Sequence, residues 1–158
     1  MDQNKNLAEL LFPHIDKTPE YYEALYPQRQ LPEGARVTRF APSPTGYLHI
    51  GGLFGALVDV LTARSTGGVA YLRIEDTDKK REIDDGVSAI INGFDYFGVA
   101  FDEGVTGFGT EKGDYGPYTQ SHRAEIYQTV AKSLVEKGLA YPCFCTADEL
   151  AAIREEQT

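Results

Sequence analysis

The chain has 158 residues, enough for one buried core, with 42% apolar and 25% charged residues, the balance of a globular domain. No apolar run approaches the ~18 residues of a membrane span, and residues 1–6 lack the basic and apolar segments of a secretory signal. Two cysteines, Cys143 and Cys145, exclude a disulfide scaffold and point to a reducing, cytoplasmic setting, while a formal charge of −9 argues against an unaided grip on nucleic acid.

Residues 1–35 read as a helical extension and linker. Leu7, Leu10 and Leu11 lie at helical spacing and predict a short amphipathic helix ended by Pro13. Thr18, Pro19 and Glu20 supply a cap, a first-turn proline and a first-turn acid for a second helix through Tyr21, Tyr22, Leu25 and Tyr26. These tyrosines suit packing against the main domain better than stacking on bases. Leu31 to Gly34 is a linker.

Val37 to Phe40 is expected to be a strand that runs into the stretch from Arg39 to Gly52, with two prolines and three glycines. A helical stripe follows through Leu53, Leu57, Val58 and Leu61, and Gly67 and Gly68 end it. Val69 to Ile74 reads as a buried strand running into Glu75, Asp76, Thr77 and Asp78. Strand, helix, strand with short connections makes a βαβ unit with parallel strands. A second helix is expected from Glu82 to Gly98, then a mobile glycine-rich loop from Asp102 to Tyr118. Ser121 is expected to cap a helix through Ile126, Val130, Leu134 and Val135, closed by Gly138. Ala140 to Phe144 reads as a strand, and Thr146 with Glu149 as a capping box for the last helix, which has no closing cap by residue 158.

The chemistry concentrates where the first strand turns into its helix. His49 beside Gly51 and Gly52, at a helix start in an α/β fold, suits phosphate binding, with an imidazole able to donate to a phosphate oxygen. The alternative is a histidine that caps the helix in a structural turn. Arg39 ends the first strand, where open sheets bind ligands and a guanidinium suits a carboxylate, and Ser43 adds a small donor on the turn. The acids Glu75, Asp76 and Asp78 end the second strand, fit to hold an ammonium group, ribose hydroxyls or Mg²⁺, or to be a solvated loop. Cys143 and Cys145 resemble half a zinc site without a second pair, so two buried thiols compete with Zn²⁺ there. Residues 114–121 mix aromatic and polar groups on a loop suited to contact a substrate or a nucleic-acid end.

Together these residues resemble the class I aminoacyl-tRNA synthetases, specifically the bacterial glutamyl type. Residues 39–52 resemble that family's "HIGH" region, residues 73–78 its second marker, and residues 116–121 and 139–145 continue the pattern. The resemblance implies an α/β fold in which residues 36–158 form the first half of a Rossmann-like nucleotide-binding domain, running into the start of the acceptor-binding insertion. It implies activation of L-glutamate by ATP with Mg²⁺, transfer to the 3′ end of tRNA-Glu, and a monomeric enzyme. Carried over by position, Arg39 would meet the glutamate side-chain carboxylate, Ala41 and Ser43 would line the pocket, and Glu75 would hold the α-ammonium. His49, Gly51 and Gly52 would bind ATP, with His49 acting on the phosphates. Gly52 stands where the signature's last histidine would be, as is usual for the glutamyl branch. A Lys-Met-Ser-Lys-Ser-like loop and an anticodon-binding domain are missing from these 158 residues, so by themselves they are expected to be inactive. Three other readings stay open: the short paralogue that glutamylates queuosine in tRNA-Asp, a non-catalytic nucleotide-binding module, and a metabolic nucleotidyltransferase of the same superfold.

Overall fold

Parallel pairing of two four-residue strands sets the architecture. In this computed structural model, which describes residues 3–157, β1 (Val37–Phe40) aligns with β2 (Val69–Leu72) from Val37↔Val69 to Phe40↔Leu72. The connection is α3 (Ile50–Ser65), so the expected βαβ unit is present. Preceding it are α1 (Gln3–Leu11) and α2 (Pro19–Leu25). After β2 come α4 (Gly86–Tyr96), β3 (Glu103–Gly107), β4 (Thr110–Lys112), a 3₁₀ turn (Gln120–Arg123), α5 (Ala124–Glu136) and α6 (Ala147–Glu156). The chain divides into two compact units: residues 20–127 form one, and the segments before and after them form the other.

In the larger unit the sheet order is β1-β2-β3-β4, with β3 parallel to β2 and β4 antiparallel to β3. The α3 residues Ala56, Val60 and Ala63 are buried and Leu53 of the expected stripe packs against the core, while Leu57, Val58 and Leu61 lie outward. Small residues let the helix axis approach the sheet, which is why most of the expected stripe does not mark the buried face. The helix stops at Thr66, where Gly67 takes the left-handed conformation at φ +68°. Ile90 and Phe94 of α4 complete the core; Phe94 meets Phe40 and Phe101 edge-on, with ring centroids 5.6 and 5.3 Å apart.

Two expected boundaries shift. The helix expected from Glu82 begins at Gly86, because the Ile83 N–H donates to the Pro44 carbonyl at 3.0 Å and Asp85 adopts φ 60°. That bond also braces the turn after β1. The segment expected to be a mobile loop contains β3 and β4 instead. Gly104 has φ +123°, and a Cβ there would overlap the Leu72 backbone, so this glycine marks close strand approach. Val69 to Ile74 is a strand only to Leu72, with Ile74 bridging to Thr119. The tyrosines of α2 pack as expected: Tyr22 is buried and stacks on Tyr26, which tilts against Tyr115. Arg29 forks onto Glu103 at 2.5 and 2.6 Å and lies 3.7 Å over the Tyr115 ring.

In the smaller unit Ala8, Ile15 and Val135 are buried, whereas Leu10 and Leu11 of the expected amphipathic face are exposed. Lys132 reaches the Ile15 carbonyl at 2.7 Å and Glu9 at 2.8 Å. The expected capping box is formed, with Thr146 Oγ1 accepting from the Glu149 N–H and the Glu149 carboxylate accepting from the Thr146 N–H. Residues 140–144 are not a strand; with no ladder partner among the described residues, Tyr141 and Phe144 stand exposed.

Candidate active site at the strand ends

The hydrogen bonds of the β1–β2 ladder continue past both strands. The Arg73 N–H donates to the Phe40 carbonyl at 3.0 Å and the Glu75 N–H to the Pro42 carbonyl at 2.9 Å. This extension carries half-buried Ala41 between its two bonded neighbours and fixes the ends from which Arg39 and Glu75 project. The Arg39 guanidinium lies 3.6 Å from the Glu75 carboxylate. Arg73, two residues before Glu75, donates to the same oxygen from Nε at 3.0 Å and Nη2 at 2.8 Å. One carboxylate thus sits between two guanidiniums.

His49 occupies the N-cap of α3. Its Nδ1 accepts from the Gly51 and Gly52 N–H groups at 3.2 and 3.4 Å, which in the neutral ring places the proton on Nε2. A Cβ at Gly51 would lie 3.1 Å from His49 Cε1 and 3.2 Å from Nδ1, so this glycine makes room for the imidazole. At Gly52 a Cβ would press on Leu48 at 3.1 Å. The capping alternative therefore describes the geometry, and it leaves an Nε2–H donor on an exposed ring at the positive end of α3. Ser43, His49 and Gly52 line one hollow of about 310 Å³, with Phe40 and Leu48 in its walls. Arg39, Ala41 and Glu75 do not line that hollow. The sequence-identified residues thus fall into two groups, one at the ends of β1 and β2 and one on the turn into α3.

The remaining acids are each held by a donor. Asp76 is buried and accepts from Ser121 and Lys79, while Asp78 pairs with Arg81 at 2.6 Å. Burial alone would raise the Asp76 carboxyl; the two bonds from Ser121, with Lys79, outweigh it and hold the group below the usual carboxylate range. Arg81 holds Asp78 below that range as well. Ser121 is thus not the expected helix cap: its hydroxyl is given to Asp76, and a 3₁₀ turn precedes α5.

A family description, tRNA synthetases class I (E and Q), catalytic domain, matches residues 36–158. The chain belongs to that family. A glutamate–tRNA ligase from Clostridium perfringens is 57% identical over 153 residues, covering 97% of this chain, and one from Acetivibrio thermocellus is 56% identical over 154 residues. A crystal structure of a glutamate–tRNA ligase from Elizabethkingia meningosepticum in complex with its amino acid superposes with a TM-score of 0.66 at 42% identity, covering 78% of this chain and 24% of the other. The chain spans 28% of the length of those curated relatives.

Within this class I synthetase segment the cysteine pair departs from both sequence expectations. Cys143 and Cys145 are exposed rather than buried. They do not fit a zinc site either, since no group of three His, Cys, Asp or Glu able to hold a metal occurs among the described residues and a closed site needs four ligands. The neighbouring Cys143 thiol instead pushes the Cys145 thiol up. The acids after β2 fit a Mg²⁺ cradle no better, because Arg39, Arg73, Lys79 and Arg81 already neutralise them. Sequence reasoning gave no role to Arg73 or to the bonds between Asp76 and Ser121. The two-residue spacing of Arg73 and Glu75, which puts both on one side of an extended segment, was the available signal for the first.

Proposed function

We propose that this chain supplies part of the active site of a glutamate–tRNA ligase: ATP-dependent activation of L-glutamate to glutamyl-adenylate, then transfer to the 3′ end of tRNA-Glu. The observation that carries the reading is the Arg39–Glu75 juxtaposition at the strand ends in a chain of this family. Glutamate carries a side-chain carboxylate and an α-ammonium, the complements of Arg39 and Glu75. Binding trades one exposed protein pair for two protein–substrate pairs, and Arg73 keeps Glu75 oriented during that trade.

Activation needs the α-carboxylate of glutamate to attack the α-phosphate of ATP with pyrophosphate leaving. The 158 residues bring positioning and electrostatics to this step. Ala41 and Ser43 shape the amino-acid side; Gly51 and Gly52, whose N–H groups hold His49 Nδ1, leave room for ATP at the helix end, and the His49 Nε2–H donates to phosphate oxygen as charge builds. ATP carries Mg²⁺ on its phosphates. In this reading the enzyme is cytoplasmic and monomeric, residues 1–35 are an extension, and residues 36–158 belong to its Rossmann-like domain.

The test replaces the matching segment of the Clostridium perfringens ligase with this chain. The chimera is expected to support glutamate-dependent ATP–pyrophosphate exchange, and the 158-residue chain alone to show none. A folded chimera without exchange, or robust exchange by the chain alone, contradicts the proposal.

A further inference from the structure

We propose that Asp76 and Ser121 are positioning residues that set the Glu75 carboxylate at the β2 end, an inference that rests on the reading of Glu75 as the ammonium ligand. Glu75 lies between two residues anchored to the segment after β4. On one side, the Ile74 N–H donates to the Tyr118 carbonyl at 3.0 Å and the Ile74 carbonyl accepts from Gln120 at 2.8 Å. On the other, the Asp76 carboxylate accepts from the Ser121 N–H at 2.8 Å and its hydroxyl at 2.5 Å, with Lys79 adding a bond at 3.0 Å. Ile74 and Asp76 are buried at 1% and 7% exposure, whereas Glu75 turns to Arg39 and Arg73. In an extended segment, alternate side chains point oppositely. Fixing residues 74 and 76 from one side therefore fixes the direction of residue 75 on the other.

The arrangement is more than ordinary strand pairing. The β2 ladder proper ends at Leu72, and Ile74 has only an isolated bridge to Thr119. Beyond that bridge, the contact is made through the Asp76 side chain, which takes both the backbone N–H and the hydroxyl of Ser121. The two residues are 45 apart in sequence, so the contact ties the strand end to the start of the 3₁₀ turn. Ser121→Ala removes one of the two bonds and keeps the backbone bond, a change the fold can absorb. Misplacement of a substrate-binding group by a fraction of an ångström costs affinity or rate without loss of the fold.

The experiment compares wild type, Ser121→Ala, Ser121→Thr, Asp76→Asn and Glu75→Gln in the chimera, reading KM for glutamate, KM for ATP and the thermal midpoint. Ser121→Ala is expected to raise KM for glutamate about tenfold with KM for ATP unchanged, and Ser121→Thr to restore it by keeping the hydroxyl. Asp76→Asn shifts the same constant in the same direction. Equal losses for both substrates, tracking the thermal midpoint and unrescued by threonine, overturn the proposal in favour of a purely structural contact. Unchanged KM for glutamate in Ser121→Ala and Asp76→Asn while Glu75→Gln raises it overturns the proposal too. If Glu75→Gln itself leaves that KM unchanged, the ammonium reading fails, and the positioning is decided by carboxyl carbon NMR of the 158-residue chain. There the Glu75 resonance is expected to move in Ser121→Ala and return in Ser121→Thr; a resonance that stays fixed refutes the coupling.

Discussion

The Arg39 guanidinium stands 3.6 Å from the Glu75 carboxylate across the ends of two parallel strands. Both side chains are partly open to solvent, at 41% and 27% exposure, so the pair adds little to stability. Arg39→Gln, which leaves the Arg73 bonds to Glu75 in place, is accordingly expected to change the unfolding free energy by less than about 1 kcal/mol. Urea denaturation of the two proteins measures this, and a much larger loss would make the pair a structural element rather than a poised site.

Asp76 behaves differently because it is buried. Its folded pKa is depressed below that of the unfolded chain, by the bonds from Ser121 and Lys79 that exceed the burial penalty. The stability it contributes is therefore fully present above about pH 4 and is lost as pH falls through the folded value. Asp76→Asn is expected to cost about 1–3 kcal/mol at neutral pH. The gap between wild type and variant should shrink in acid; urea midpoints at neutral pH and at about pH 3 read it.

Arg29 and Glu103 form a further charge-assisted contact of this unit, with Tyr118 Oη donating to the same carboxylate at 2.6 Å. Arg29 holds Glu103 below the usual carboxylate range, and burial together with Glu103 pushes the Tyr118 phenol far up. Arg29→Met is expected to destabilise by about 2 kcal/mol, a fork of charge-assisted bonds being lost while Glu103 stays partly buried. A double-mutant cycle with Glu103→Gln isolates the coupling. As with Asp76, it is present above the carboxylate range and fades in acid.

His49 carries two roles that substitution can separate. Asparagine retains an acceptor for the α3 N-terminus, but its amide N–H donors sit closer to the backbone and do not reach where the Nε2–H points. His49→Asn should keep the stability that His49→Ala loses, about 1 kcal/mol by thermal unfolding. In the chimera both variants are expected to lose roughly a hundredfold in exchange rate. Equal stability loss in both variants would mean that the Nδ1 bonds are not a cap.

How much of this was legible in the sequence varies by residue. The βαβ unit, the glycine stop at Gly67 and the Thr146 capping box follow from local chemistry, and the fold keeps them. The outward leucines of α3 do not, because the buried face is chosen by how closely Ala56, Val60 and Ala63 let the helix approach the sheet. Gly104 suggests a loop when read alone; its strand conformation depends on Leu72, more than thirty residues away in sequence. At the site, Arg39, Glu75 and His49 were visible as residue types in telling places. The bonds from Ser121 to Asp76 were not, since no local pattern joins residues 45 apart.

The most direct test of a glutamate-activating site at these strand ends is KM for glutamate in pyrophosphate exchange by the chimera, with and without Arg39→Gln. If Arg39 receives the side-chain carboxylate, the substitution raises that KM on the order of a hundredfold and leaves KM for ATP unchanged. An unchanged KM for glutamate in the folded, active variant would contradict the account.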